Sequence, residues 1–410
     1  MPTLLRNPAP GRRTALAVLA AVMVLATGPV ATAQAPGPPS TADCGTHDQA
    51  RRALNVLTDR DGIAGAAVLI TDPTADGPCG RWAEAAGTAD LRTGRPMNAA
   101  DRLRVGSVTK TFTATVVLQL VAERRLSLED PVERYLPGLI HGHGHHGARI
   151  TVRQLLQHTS GLPDYLDAPE WAHPERLRYR HFEPRDLVTR ALELPRPQGQ
   201  WHYATTNYLV LGMIVREVTG RAPETEIARR IITPLGLRDT YWPGDGTRVQ
   251  GPYSHSYFTG EDGRRVDGTS WNMTFGGVGG ALVSTPADLT RFGRALLGGR
   301  LLPPAQLAQM RRTVAADPDR LWPGARYGLG LISSPLSCGG TWWGHAGTVP
   351  GGHRALIAIG PGGTNDTNGG RLRSVAVALN EVPATLQAEL DFLDLVDKSL
   401  CEHRPSERTT

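Results

Sequence analysis

The stretch Arg104-Val105-Gly106-Ser107-Val108-Thr109-Lys110, running on through Thr111 to Arg125, decides how the rest of this chain is read. From Ser107 to Arg125 the pattern is helical, with Val116, Val117, Leu120 and Val121 on one broad face. Ser107 and Lys110 then lie on the same side of the helix, one turn apart. A helix N-terminus offers free N–H groups and favours negative charge, so it would stabilise a serine alkoxide or the oxyanion formed when it attacks. The neighbouring amine takes the hydroxyl proton if its own pKa is lowered. The plain alternative is a capping serine beside a surface lysine. Composition speaks for chemistry: the chain has 42 Arg and only two Lys, Lys110 and Lys398. Arg stays protonated in proteins, whereas Lys can act as a base, so a lysine kept in such a chain invites a reason.

Around this segment the pattern is strand at both ends and helix between. Gly65 to Ile70 reads as a buried strand, Asp72-Pro73 and Asp76-Gly77 as a turn, and Arg81 to Leu91 as a second strand. Residues 126–270 read as short helices and loops, the clearest being Val152 to His158 and Asn207 to Thr219, the latter ended by Gly220. Tyr327 to Ile332, Thr341 to Ala346, Arg354 to Ile359 and Ser374 to Leu379 read as strands between Gly-rich turns. A final amphipathic helix runs from about Thr385 to Leu400, with Leu390, Phe392, Leu393 and Val396 in its apolar set. The expected fold is α/β of the α+β type. An antiparallel sheet from both chain ends is covered by helices, and a mainly helical lobe, about 126–270, is inserted into it. A site would sit in the cleft between them.

The chain has 410 residues, 40% hydrophobic and 20% charged, enough for a large core. Residues 1–33 read as a signal peptide: Arg6, Arg12 and Arg13 precede an apolar run from Thr14 to Thr27, and Ala31-Thr32-Ala33 fits a cleavage site. Export by the general or the twin-arginine route is expected, leaving a secreted domain over 34–402, with a loose start over 34–43 and a polar tail over 403–410. Removal of the leader takes three arginines and no acid, so the formal charge falls from +5 to +2. No basic patch calls for nucleic acid, and no later segment is long and apolar enough to span a bilayer. No stable membrane partner is expected, and the reading is of a monomer. The four cysteines, Cys44, Cys79, Cys338 and Cys401, form no C-x-x-C pair, so zinc is not expected; in an exported chain they suggest two disulfides, for which sequence allows three pairings. His141, His143, His145 and His146 sit in a Gly-rich stretch with no carboxylate spaced to complete a metal site, and read as a solvated loop. Nothing calls for a metal or organic cofactor.

Two further segments carry chemistry-bearing groups. Tyr203-Ala204-Thr205 precedes the helix at Asn207; its phenol either fills the core or shuttles a proton in a cleft. His345-Ala346-Gly347-Thr348 lies in a strand pattern followed by Pro350-Gly351-Gly352. Its small residues would let a ligand run beside the strand, and the Thr348 N–H would join that of Ser107 as an oxyanion hole.

In this order, the three segments resemble the serine β-lactamase and D-alanyl-D-alanine carboxypeptidase superfamily, whose signature is S-x-x-K, then S-D-N or Tyr-x-Asn, then K-T-G or His-Thr-Gly. The resemblance extends through Ile150 to Leu156, His158-Thr159-Ser160-Gly161-Leu162, Tyr327 to Leu331 and Gly344 to Val349, and covers roughly residues 45–402. It implies Ser107 as nucleophile, Lys110 as general base, and Tyr203 as relay of a proton to the leaving amine. It also implies Ser107 and Thr348 as oxyanion-hole amides, Trp271 as an aromatic lining the cleft, and His345 in the conductor position of the third motif. It pairs Cys338 with Cys401, and so Cys44 with Cys79. The implied substrates are small D-Ala-D-Ala peptides or β-lactams. Two positions depart: Thr205 replaces an Asn that holds the substrate carbonyl, and Ala346 replaces a Thr that helps bind a terminal carboxylate. The arginine that binds that carboxylate is absent at Ile332 to Ser334, leaving Arg354 or a protonated His345 to compensate. The leading expectation is a carboxypeptidase-like hydrolase. The rivals are an esterase, amidase, D-aminopeptidase or β-lactamase on the same scaffold, and a non-catalytic binder of penicillin or peptidoglycan.

Overall fold

The computed structural model describes residues 47–72, 80–361 and 372–402. The leader, the loose segment after it, the Cys44–Cys79 pairing and the tail lie outside the described residues. All described residues belong to one unit, Cys44–Thr410.

In chain order the main helices are α1 (Asp48–Asp59), α2 (Thr109–Ala122), α3 (Val152–Gln157), α4 (Thr206–Thr219), α5 (Pro286–Leu297) and α6 (Leu386–Cys401). The main strands are β1 (Gly65–Thr71), β2 (Arg81–Asp90), β3 (Arg95–Pro96), β4 (Val314–Ala315), β5 (Arg326–Tyr327), β6 (Ile332–Pro335), β7 (Thr341–Thr348), β8 (Arg354–Pro361) and β9 (Leu372–Leu379). They form one antiparallel sheet in the order β4-β5-β6-β7-β8-β9-β1-β2-β3. The join between the chain ends is β1 against β9, in the register Val68↔Val377. Between β3 and β4 the regular elements are mostly helices.

Strand alternation assigns each face a partner. Val68 and Ile70 pack with Leu54 and Leu57 of α1 and with Phe392 and Val396 of α6. On the other face α5 lies against β8 and β9, and Gly293 allows this contact, because a Cβ there would fall 2.4 Å from Ile359. The sequence reading had no helix at 48–59. The signal was present, since Ala50, Ala53, Leu54 and Leu57 recur at helical spacing and are the residues α1 buries.

α2 is the central helix, and the expected one-sided pattern is corrected there: it is buried on nearly all sides from Thr109 to Leu118. Its buried threonines are satisfied locally or across the core, Thr109 Oγ1 donating to Gly106 O (2.7 Å), Thr111 to Gly330 O (2.8 Å) and Thr113 to Val278 O (2.6 Å). Phe112 stacks on Phe292 of α5 with centroids 3.6 Å apart.

A disulfide joins Cys338, in the turn before β7, to Cys401 at the end of α6, as the resemblance implied. It closes a separation of 63 residues. Replacing both cysteines by serine is expected to lower unfolding free energy by about 4 kcal/mol, read as a fall in the urea midpoint. Lys398, the other lysine, sits on the surface within 3.6 Å of Asp394.

Candidate active site

Gly106 places Ser107, the candidate nucleophile. It has φ of +52° in the 3₁₀ turn Gly106–Val108 that opens α2, and a Cβ there would lie 2.6 Å from Thr348 O. Gly347 answers from β7: a Cβ on it would meet Val105 O at 2.0 Å and Ser107 N at 2.7 Å. Two glycines thus let the end of β7 close onto the start of α2, which brings the backbones of Ser107 and Thr348 together. Ser107 is half-buried and Thr348 is exposed.

Lys110 is fully buried. Its Nζ lies 3.1 Å from Ser107 Oγ, 2.8 Å from Gly279 O and 3.4 Å from Thr205 Oγ1. No carboxylate is among these contacts. Burial lowers its pKa to about 7, opposed by the charge of Asp164. A neutral amine has two N–H donors and one lone pair, and three contacts fit that inventory: donors to Gly279 O and Thr205, lone pair toward Ser107. Gly279, in the run Gly276-Gly277-Val278-Gly279-Gly280, was missed by sequence reading. A Cβ there would sit 2.9 Å from Thr205 Cγ2 and 3.5 Å from Lys110 Nζ, so the glycine keeps the amine's acceptor within reach.

Tyr203 is held by a network that sequence reading did not resolve. His158 ends α3 in the left-handed region, at φ of +62°; α3 itself starts from a capping box of Thr151 and Gln154. The His158 ring is buried, stacks on Tyr203 at 4.3 Å, and accepts at Nδ1 from Ala204 N (3.1 Å). Asp164 accepts from Thr205 N at 2.9 Å, and Ser160 Oγ donates to Asn207 Oδ1 at 2.6 Å. Burial raises the Tyr203 pKa above that of a free phenol, with the Ser107 hydroxyl pulling the other way. Lys110 Nζ stands 4.9 Å from the Tyr203 ring centroid. The same desolvation therefore pushes the two groups toward neutral forms, an amine and a phenol, near pH 7.

Two expected site residues differ from expectation, His345 of the third segment and Trp271. His345 is buried, its Nδ1 lies 2.5 Å from Ala346 O, and its Nε2 lies 2.9 Å from Tyr327 Oη. Burial, then the charge of Lys110, lower its pKa to about 3, so it is a neutral imidazole and not the cation expected to compensate for the missing arginine. Arg354 is half-buried, donates to Thr348 Oγ1 at 2.8 Å, and is paired with Glu389 of α6. Ala346 and Gly347 are buried. Trp271, expected to line the cleft, is 1% exposed and packs near Phe258 and Gly351, inside the core. Thr205 is buried against Lys110, where its hydroxyl serves the lysine.

The family model for Beta-lactamase matches residues 50–387. The chain belongs to the beta-lactamase family. Among solved structures, it is similar to a D-stereospecific amidohydrolase from Streptomyces, 36% identical, covering 87% of this chain and 99% of that one with a TM-score of 0.76. Among curated relatives, penicillin-binding protein 4 of Amycolatopsis lactamdurans is 30% identical over 57% of this chain and 63% of its own length. Esterase EstB of Burkholderia gladioli is 33% identical over 38% of this chain and 43% of its own. The matches thus span about half of those curated relatives. Among the described residues no helix is long and apolar enough to cross a membrane. Beta-lactamase-family serine hydrolases have the mixed antiparallel-sheet and helix architecture found here.

If Lys110 is the base, its neutral form is the active one, and it gains population as pH rises through about 7. The acylation rate is expected to climb about tenfold per pH unit from about pH 5 and to level off above the lysine pKa. Stopped-flow acylation by a chromogenic β-lactam measures this. A rate that is flat across that window contradicts the assignment.

Proposed function

We propose that this chain is a serine amidohydrolase that acylates Ser107 and cleaves amides of D-amino acids, with no requirement for a free carboxylate on the leaving group. The observation that carries this reading is the absence, among the described residues, of an unpaired cation beside Thr348: His345 is neutral and Arg354 is paired with Glu389. Likeness to the Streptomyces D-stereospecific amidohydrolase over nearly the whole of that chain supports it.

The proposed steps draw on the geometry of the site. Ser107 Oγ forms a bond to the substrate carbonyl carbon while its proton passes to Lys110 Nζ, 3.1 Å away. The carbonyl oxygen becomes an oxyanion facing the N–H groups of Ser107 and Thr348. The C–N bond breaks as Tyr203 delivers a proton to the departing nitrogen and is reprotonated from Lys110. Water then adds to the ester, losing its proton to the same pair, and the acid leaves as Ser107 recovers its hydrogen. Export of the domain after removal of residues 1–33 is part of the proposal.

A carboxypeptidase reading has one observation in its favour: Arg354 already donates to Thr348 Oγ1, beside the oxyanion position. Release from Glu389 would free it for a terminal carboxylate. Turnover of D-phenylalanine amide, L-phenylalanine amide and an N-acylated D-Ala-D-Ala peptide separates the two. The D-amide is expected to exceed the L-amide by at least about tenfold in kcat/KM, with slower release of D-Ala from the peptide. Faster D-Ala release than D-amide turnover overturns the amidohydrolase reading.

A further inference from the structure

The histidine-rich segment expected to be a solvated loop is folded: His141–Gly142 pairs with His145–His146 as a two-stranded hairpin, and His145 is 2% exposed. The hairpin walls a cavity of about 470 Å³ whose other side is the turn Thr159–Gly161 and the segment Gly199–Gln200. Arg149 and Arg196 line it together with His145, His146, Gln154 and Gln200, and no aspartate or glutamate does.

We propose that this pocket binds a small oxyanion, a carboxylate or phosphate group, against Arg149 and Arg196.

Arg196 is held by backbone: NH1 donates to Gly144 O at 3.1 Å, and NH2 lies over Gly161, 3.2 Å from where a Cβ would stand. The contact leaves part of the guanidinium fork available for an oxyanion. Among the described residues neither arginine has a carboxylate partner. The buried His145 has no hydrogen-bond partner at Nε2. Burial lowers its pKa, and Arg196, His143 and His146 lower it further, with no acid opposing them. Glu133 approaches Gly147, but it accepts from Gly138 N and does not line the cavity. The pocket is therefore an uncompensated positive concavity, the arrangement that concentrates anions.

Its position gives the site a use. Thr159 follows His158, whose ring supports Tyr203, and Gln200 precedes Tyr203 by three residues. An oxyanion here sits against Gln200, in the segment that carries the phenol. The group could belong to a remote arm of a substrate or to a free small anion; the chemistry is shared.

The test uses the full chain. Phosphate and glutarate are titrated at constant ionic strength against chloride, with binding read by calorimetry. Saturable binding of at least one is expected, weakened roughly tenfold or more by Arg149→Gln and by Arg196→Gln, while the penicillin adduct on Ser107 forms as in the parent. Arg149 is exposed, so its variant keeps the test open if Arg196→Gln loosens the hairpin. A fall in kcat/KM of Arg149→Gln confined to substrates with a remote carboxylate assigns the pocket to the substrate arm. Loss of anion binding alone assigns it to a free anion. No saturable binding of either oxyanion, or binding unchanged in both variants, overturns the proposal. Neither result depends on which bond Ser107 cleaves.

Discussion

Lys110→Arg is expected to slow acylation of Ser107 by at least about 10³-fold although it keeps the formal charge, because a guanidinium does not give up its proton near neutral pH. The native environment disfavours the charged form of Lys110. Its Nζ contacts one carbonyl and two hydroxyls, and burial brings its pKa down to about 7. An arginine there would remain charged in a space fitted to a neutral amine. Lys110→Ala is the companion variant: it removes the base without adding bulk and is expected to lose acylation to the same degree. Intact-mass kinetics with a penicillin measure both, with circular dichroism checking the fold. Wild-type acylation rates in either folded variant would remove Lys110 from its role.

Tyr203→Phe is the second large effect. It deletes one oxygen and leaves the ring on His158, so the supporting stack is kept. A general acid is worth about 10² to 10⁴ in rate, and amide hydrolysis needs one because an amine anion is a poor leaving group. An activated p-nitrophenyl ester does not, since its phenolate leaves unassisted. Tyr203→Phe is therefore expected to cost about 10²-fold or more on an amide and far less on the ester. Equal losses on both substrates would mean that Tyr203 positions the site and does not relay the proton.

The central strands of the sheet and the outline of α2 were legible because their signals are local. Val68 to Ile70 and Val375 to Leu379 are runs of apolar residues that a buried strand requires, and both are buried. Where the sequence misled, distant contacts decided. Tyr327 to Ile332 read as one strand, but it divides into β5 and β6 around Gly330, at φ of +74°. A Cβ at Gly330 would strike Ala114 of α2 at 2.4 Å, a contact with a helix more than 200 residues away. Leu390 fits the apolar stripe of α6, yet it is 41% exposed.

The site divides in the same way. Ser107 and Lys110 were singled out by residue type and spacing and Tyr203 by the family resemblance, and the structure brings all three together. Their supports were not found. His158, Asp164 and Gly279 act through a left-handed helix end, a backbone amide and a carbonyl, none of which has a sequence period. The charge state of His345 was also invisible. It depends on complete burial beside Lys110, which only the fold supplies.

The measurement that bears most directly on the account is peptide mapping after incubation with a penicillin at neutral pH. A single covalent adduct on Ser107, absent in Ser107→Ala and greatly slowed in Lys110→Arg, is the predicted result. No adduct, or an adduct on another residue that persists in Ser107→Ala, would contradict it.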